Sequence, residues 1–379
     1  MSNRRHLHGW FTRGPSRPTA LLGLAMGLAL GCSNESITPD PMDPGPHVDA
    51  GTGDGAAGGN VDAPTTPIGD DGGPDAGTPP FKSLATAANA PAIFTQTRSG
   101  VPLPGGGVAF IAMVEAVSEE EQAASGARFG IWLQADKAGA PTLLYAGDKI
   151  VNPFDIDASF DGKTLYVADV AGGADGRGAI VSLSTGGGEP TEIVSGYAPR
   201  ALTLASDDRI YFTGVDEETG EAGLFLLGGS VSKVFTGEPF VDPSGIAIRK
   251  DGAVLVADTR LFDGASAAAQ ALTKEGGVIL VKDGQASIFA TGFVTGYPAG
   301  IALTTDDKSL IISGQGPDRS DTVYIVDVAN PTAPPTVVTD KFSAYQDSSA
   351  GLKRAHDSNT FIWASLAANG GTLYSIDTN

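Results

Sequence analysis

One block of sequence recurs five times, and a chain built this way folds as a stack or ring of similar units. The copies are Pro153–Asp169 (PFDIDASFDGKTLYVAD), Pro199–Gly214 (PRALTLASDDRIYFTG), Pro243–Asp258 (PSGIAIRKDGAVLVAD), Pro298–Gly314 (PAGIALTTDDKSLIISG) and Ser349–Ser365 (SAGLKRAHDSNTFIWAS). Their starts lie 44 to 55 residues apart. Each reads as a strand, a tight polar turn such as Asp161-Gly162 or Asp251-Gly252, and a second strand rich in β-branched or aromatic residues. A third strand (AIVSLS, GLFLLG, GVILVKD, TVYIVDV, GTLYSID) follows each copy, and a fourth (TEIVSG, SKVFTG, ASIFATG, PTVVTD) follows the first four. Four antiparallel strands in roughly 40–50 residues is the pattern of a β-propeller blade.

An earlier unit keeps its outer strands, FGIWLQA from Phe129 and TLLYAG from Thr142, and its inner strands are expected within 105–116. The final unit reaches the end of the chain with three strands. Its fourth is expected from the other end, at Ala92–Thr97 (AIFTQT), which resembles ASIFATG. The fold expected is all-β: a six-bladed propeller of four-stranded blades, closed by pairing of N- and C-terminal strands. An open sandwich or a helical α/β domain does not account for the period.

Two other segments precede the repeats. Residues 1–31 hold four arginines and no acid, then an apolar run Ala20–Leu30 that is shorter than a bilayer-spanning helix requires. At its end stands Cys32, the only cysteine of the chain, which therefore makes no internal disulfide. Residues 33–80 contain nine Pro, ten Gly and nine acids, with no Lys, Arg, Phe, Tyr or Trp. Such a segment cannot bury enough apolar area to offset its chain entropy, and it is expected to be a disordered tether. The layout resembles a bacterial lipoprotein signal. That resemblance implies 1–31 as a signal peptide, lipidation (palmitate included) at Cys32, 32–80 as the tether and 81–379 as the propeller domain. It also implies a membrane partner through the Cys32 lipid and a place in the cell envelope, at the outer membrane.

Charge bounds the partners. The chain carries a net −20, of which −15 belongs to 81–379. This excludes a nucleic-acid binder, which needs a basic face. A monomer is expected, with an unknown protein or small molecule as ligand. The loops between second and third strands are expected to be long and acidic: Glu115–Ala127, Asp169–Gly178, Val215–Gly223, Asp258–Gly277, Gly314–Asp321 and Leu366–Gly371. Ala265–Glu275 in the longest of them is open between a short rim helix and a loop. Long loops on one rim mark the functional face.

Asp155, Asp157, Lys353 and Arg354 fall on innermost strands, where other copies carry small or apolar residues. Polar groups at such positions line the channel, pair with each other or contact a ligand. His356 is the only histidine of 81–379, and its place in a polar turn reads as an exposed residue rather than a general base.

The Pro-x-Gly-Ile-Ala opening (PSGIAI, PAGIAL) is similar to NHL repeats and to the SMP-30, or regucalcin/gluconolactonase-like, propellers. That family implies a divalent metal, usually Ca2+, at the channel mouth, with ligands just after the opening proline. Phe154, Arg200, Ser244, Ala299 and Ala350 stand there in this chain. A rearranged cation or ligand site would draw on Asp155, Asp242 and Asp258, with Arg200 beside them. Two functions follow: a tethered propeller that binds a ligand or protein through its acidic loop face, or a calcium-dependent lactonase-like hydrolase or other propeller hydrolase. A quinone-cofactor sugar dehydrogenase ranks last, for want of the histidine base such enzymes use.

Overall fold

The structure is a computed structural model, and it describes residues 81–86, 94–114, 128–136, 139–260, 276–296, 298–315, 321–338, 349–365 and 371–377. The segments read as signal, lipidation site and tether, and the Ala265–Glu275 segment, lie outside the described residues. So do most of the Glu115–Ala127, Asp258–Gly277, Gly314–Asp321 and Leu366–Gly371 loops.

Every described element is a strand. β1 (Phe81–Thr86) stands apart. The first set of four is β2 (Phe94–Pro102), β3 (Val108–Val114), β4 (Arg128–Gln134) and β5 (Thr142–Tyr145). The second is β6 (Pro153–Ala158), β7 (Thr164–Asp169), β8 (Ala179–Ser184) and β9 (Thr191–Ser195). The third is β10 (Ala201–Leu204), β11 (Ile210–Asp216), β12 (Glu221–Gly228) and β13 (Ser230–Thr236). The fourth is β14 (Pro243–Ile248), β15 (Val254–Asp258), β16 (Gly276–Lys282) and β17 (Gln285–Thr295). The fifth is β18 (Ile301–Leu303), β19 (Ser309–Gln315), β20 (Asp321–Asp327) and β21 (Thr336–Val338). The last is β22 (Ser349–Arg354), β23 (Thr360–Ser365) and β24 (Thr372–Asp377), completed by β1. All pairings are antiparallel, and β17 also reaches β19 through Val294 and Thr295.

Apolar clusters join each set to the next around a ring. One packs Val101, Ile111 and Ile131 on Ile156, Val167 and Val181. The cluster between last and first sets packs Ile362 and Leu373 on Phe94, Phe110 and Trp132. There Phe94 meets Phe110 edge-on at 5.2 Å and Trp132 at 5.4 Å, contacts that add about 0.5–1.5 kcal/mol each beyond burial.

Two expected strands are corrected. The closing strand is β1, not Ala92–Thr97: Phe81 pairs with Ile376 and Thr86 with Thr372. Phe94–Pro102 instead forms the innermost strand of the first set, and Gly105–Gly107 is its hairpin turn, closed by Leu103 N donating to Gly107 O at 2.7 Å. Gly105 and Gly106 have φ of 88° and 96°, which explains the glycines. The Val215–Gly223 loop also contracts. β11 and β12 run on to Asp216 and Glu221 and pair there, leaving a four-residue turn.

Candidate functional site

Innermost strands run from the inter-set connections, on the loop face, to the tight hairpin turns on the opposite face. One edge of each pairs with its own set and the other faces the channel, so its channel-side N–H and C=O groups need other partners. The glycine of the Pro-x-Gly opening serves this geometry. A Cβ on Gly351 would lie 2.5 Å from Ser99 Oγ, so neighbouring inner strands approach closest at that level.

In the second set that glycine position holds Asp155, and its carboxylate fills the centre. Asp155 Oδ1 accepts from Ser99 Oγ at 2.7 Å, and Oδ2 accepts from Leu202 N at 3.0 Å. Lys353 reaches in from the last set, with Nζ 2.6 Å from Asp155 Oδ2, and it also donates to Leu202 O. Both side chains are buried, so neither charge has water to fall back on. Two residues further along the strand, Asp157 Oδ2 accepts from Leu204 N at 3.1 Å and Oδ1 from Ala158 N at 2.8 Å. Arg354 Nη1 donates to Ala355 O at 2.5 Å and Ser358 O at 2.9 Å, fastening its own turn. Burial lowers the Arg354 pKa, against the nearby Asp307, Asp357 and Asp157.

His356 is not the exposed turn residue expected from sequence. Its ring stacks on Phe160 at 4.1 Å, and Nε2 lies 2.9 Å from Ala158 O and 3.7 Å from Asp157 Oδ1. The Phe160 face and the Ala158 carbonyl draw it inward.

The loop end holds the other candidates. Arg200 Nη1 pairs with Asp242 Oδ1, and Asp242 Oδ2 accepts from Thr259 Oγ1 at 2.7 Å with Arg260 Nη2 at 3.5 Å. Asp258, fully buried, accepts from Val241 N (2.9 Å), Asp242 N (2.8 Å) and Arg260 N (3.0 Å). Burial pushes its carboxyl up to about 7, opposed by those N–H groups and by Arg200 and Arg260. Asp169 repeats this clamp in the second set, on Val151 N (2.6 Å), Asn152 N (2.9 Å) and Ala171 N (3.0 Å). The aspartate ending LYVAD and VLVAD is thus a loop clamp.

Arg200, Asp242 and Asp258 therefore come together, whereas Asp155 belongs to the channel with Lys353. Sequence reasoning missed Ser99 and the clamp. It also missed Arg98, which bonds Asn152 Oδ1 at 2.5 Å and lies over the Phe129 ring at 3.7 Å. A hard cation needs several free oxygens converging on one point. Among the described residues no group of three or more His, Cys, Asp or Glu does so, and the candidate carboxylates are engaged by Lys353, by Arg200 and Arg260, or by backbone N–H groups. This donor set does not fit Ca2+.

The aldose sugar dehydrogenase of Streptomyces coelicolor in its PQQ-bound form superposes with a TM-score of 0.54 at 12% identity, covering 78% of this chain and 97% of that one. A protein named only by inference as a gluconolactonase gives 0.51 at 16% identity, over 79% and 92%. A glucose dehydrogenase gives 0.50 at 11%, over 79% and 99%. The fold is that of a β-propeller. At these identities the likeness carries the fold and no activity. No family model and no curated protein matches the chain.

Proposed function

We propose that this propeller is a binding module of the cell envelope, held at the outer membrane by a lipid on Cys32, and not a metal-dependent lactonase. One observation carries the reading: each carboxylate that a rearranged calcium site would use is already matched by cations or N–H donors of the chain itself. Removing any of them for a metal would leave a buried cation or donor unpaired. The acidic loop face is the docking surface. There Glu217 and Glu218 are exposed and enter no ion pair among the described residues, which suits a cationic peptide or ligand.

The test is a melting curve of the full chain with and without calcium, alongside hydrolysis of gluconolactone. A site with ligand present at about 100 times its Kd adds about 2.7 kcal/mol, a shift of several degrees in a domain of this size. The expected result is no shift and no hydrolysis. A calcium-dependent rise that disappears in Asp242→Asn, with lactone hydrolysis, would overturn the reading. Binding of a Lys-rich peptide at low salt is expected to weaken in Glu217→Lys/Glu218→Lys. Palmitate labelling of cells expressing the chain is expected to vanish in Cys32→Ala.

A further inference from the structure

The hairpin-turn end of the channel opens into a cavity of 480 Å³, within the range of small-molecule sites. Its walls are the inner strands β6, β10, β14, β18 and β22, and its charge contrasts with the chain. Five Lys or Arg side chains but three Asp line it, in a chain of net charge −20.

Part of that positive charge is uncommitted, although Arg354 is fastened to the carbonyls of its own turn. Lys353 is tied to Asp155, and Arg209 to Asp207 at 2.7 Å. Arg249 Nε, however, is buried without a hydrogen bond, and its ion pair with Asp251 is long at 3.7 Å. The Lys250 ammonium is exposed and has no carboxylate among the described residues, while its own backbone N–H holds Asp307 at 2.7 Å. Phe160, 41% exposed and braced by His356, adds an aromatic face to the rim.

The Arg249 side chain is 27% exposed and its guanidinium makes no hydrogen bond among the described residues, and an oxyanion is the acceptor that its charge selects. The apolar rim ring favours an organic body over a bare ion. We propose that this mouth binds a small organic oxyanion, a carboxylate or phosphate, between Arg249 and Lys250, with the Phe160 ring against its carbon skeleton. The site shares no residue with the acidic loop face and lies at the opposite end of the channel.

The test is calorimetric titration of the full chain at low ionic strength with inorganic phosphate, citrate and benzoate, and with glucose as the neutral control. At least one anion is expected to bind where glucose does not. Preference for citrate or benzoate identifies a carboxylate ligand, and preference for phosphate a phosphate one. Lys250→Glu is expected to weaken that binding about tenfold or more, with Arg249→Gln close behind, since each removes a charge-assisted contact. Lys149→Glu, outside the cavity, is expected to leave it unchanged. Lys250 is exposed, so its variant retains the fold, and an unaltered melting curve checks this. No anion binding above glucose, or binding indifferent to both cavity variants, would overturn the proposal.

Discussion

The two ends of the channel are built from the same repeat and reach opposite electrostatic outcomes. At the loop end, Asp242 faces Arg200 and Arg260, while Asp258 is wrapped by three N–H groups. These three side chains and Asp258 are spent on holding connections in place, while Glu217 and Glu218 beyond them stay exposed. At the turn end, Arg249 has only a long ion pair with Asp251 at 3.7 Å and Lys250 has none among the described residues, in a cavity whose five Lys or Arg outnumber its three Asp. The lesson is that acidic residues at a propeller mouth are not by themselves a site. What matters is which charges the fold leaves over after its own hydrogen bonds are made.

The contrast can be broken most severely between the two ends, at Lys353. Lys353→Met strands the buried Asp155 carboxylate and is expected to cost about 3–5 kcal/mol in urea unfolding, with most of it restored in Lys353→Met/Asp155→Asn. A cost below about 1 kcal/mol would show that the ion pair does not hold the channel together. Next, Asp258→Ala and Asp169→Ala should each cost about 2–3 kcal/mol, because each leaves three backbone N–H donors without their carboxylate acceptor. Unequal losses would separate the two clamps and reopen a special role for Asp258.

Acid titration sharpens the same point. Asp258 titrates near 7 when folded and near 3.8 when unfolded. Between those values the folded chain holds the extra proton, so this group's stabilising contribution is full below about pH 4 and is lost as pH rises through about 7. Asp258→Asn should flatten that part of the melting-versus-pH curve, and an unchanged slope would contradict the assignment. The smallest effect belongs to the turn end: His356→Ala loses its stacking and one hydrogen bond, about 1 kcal/mol in thermal unfolding.

The repeat was legible because four of the five copies open on a proline and all five carry an Asp-turn between two strands rich in apolar residues. The first set was not, since its inner strand lacks the opening proline and places Pro102 at the far end, where Pro-Leu-Pro-Gly reads as loop. Phe81–Thr86 was passed over because FKSLAT adjoins the Pro/Gly tether and has weak alternation. Asp155, Asp157, Lys353 and Arg354 stood out as polar exceptions to apolar columns, and pairing was among the readings that pattern permits. His356 was misjudged because its partners, Phe160 and Ala158, belong to another copy far along the chain. Arg249 and Lys250 gave no signal at all, since a cation beside a turn is ordinary until a cavity is seen beneath it.

Closure by β1 also sets an order of events. The strand that enters the ring first in sequence pairs with β24, the last strand described, so no growing chain can complete the ring before its C-terminal residues are free. Until then β1 and the edge of β24 both lack partners, a state open to pairing with other chains. Long-range closure of this kind folds slowly. A chain of this design therefore gains from being kept apart from its copies until the ring has closed.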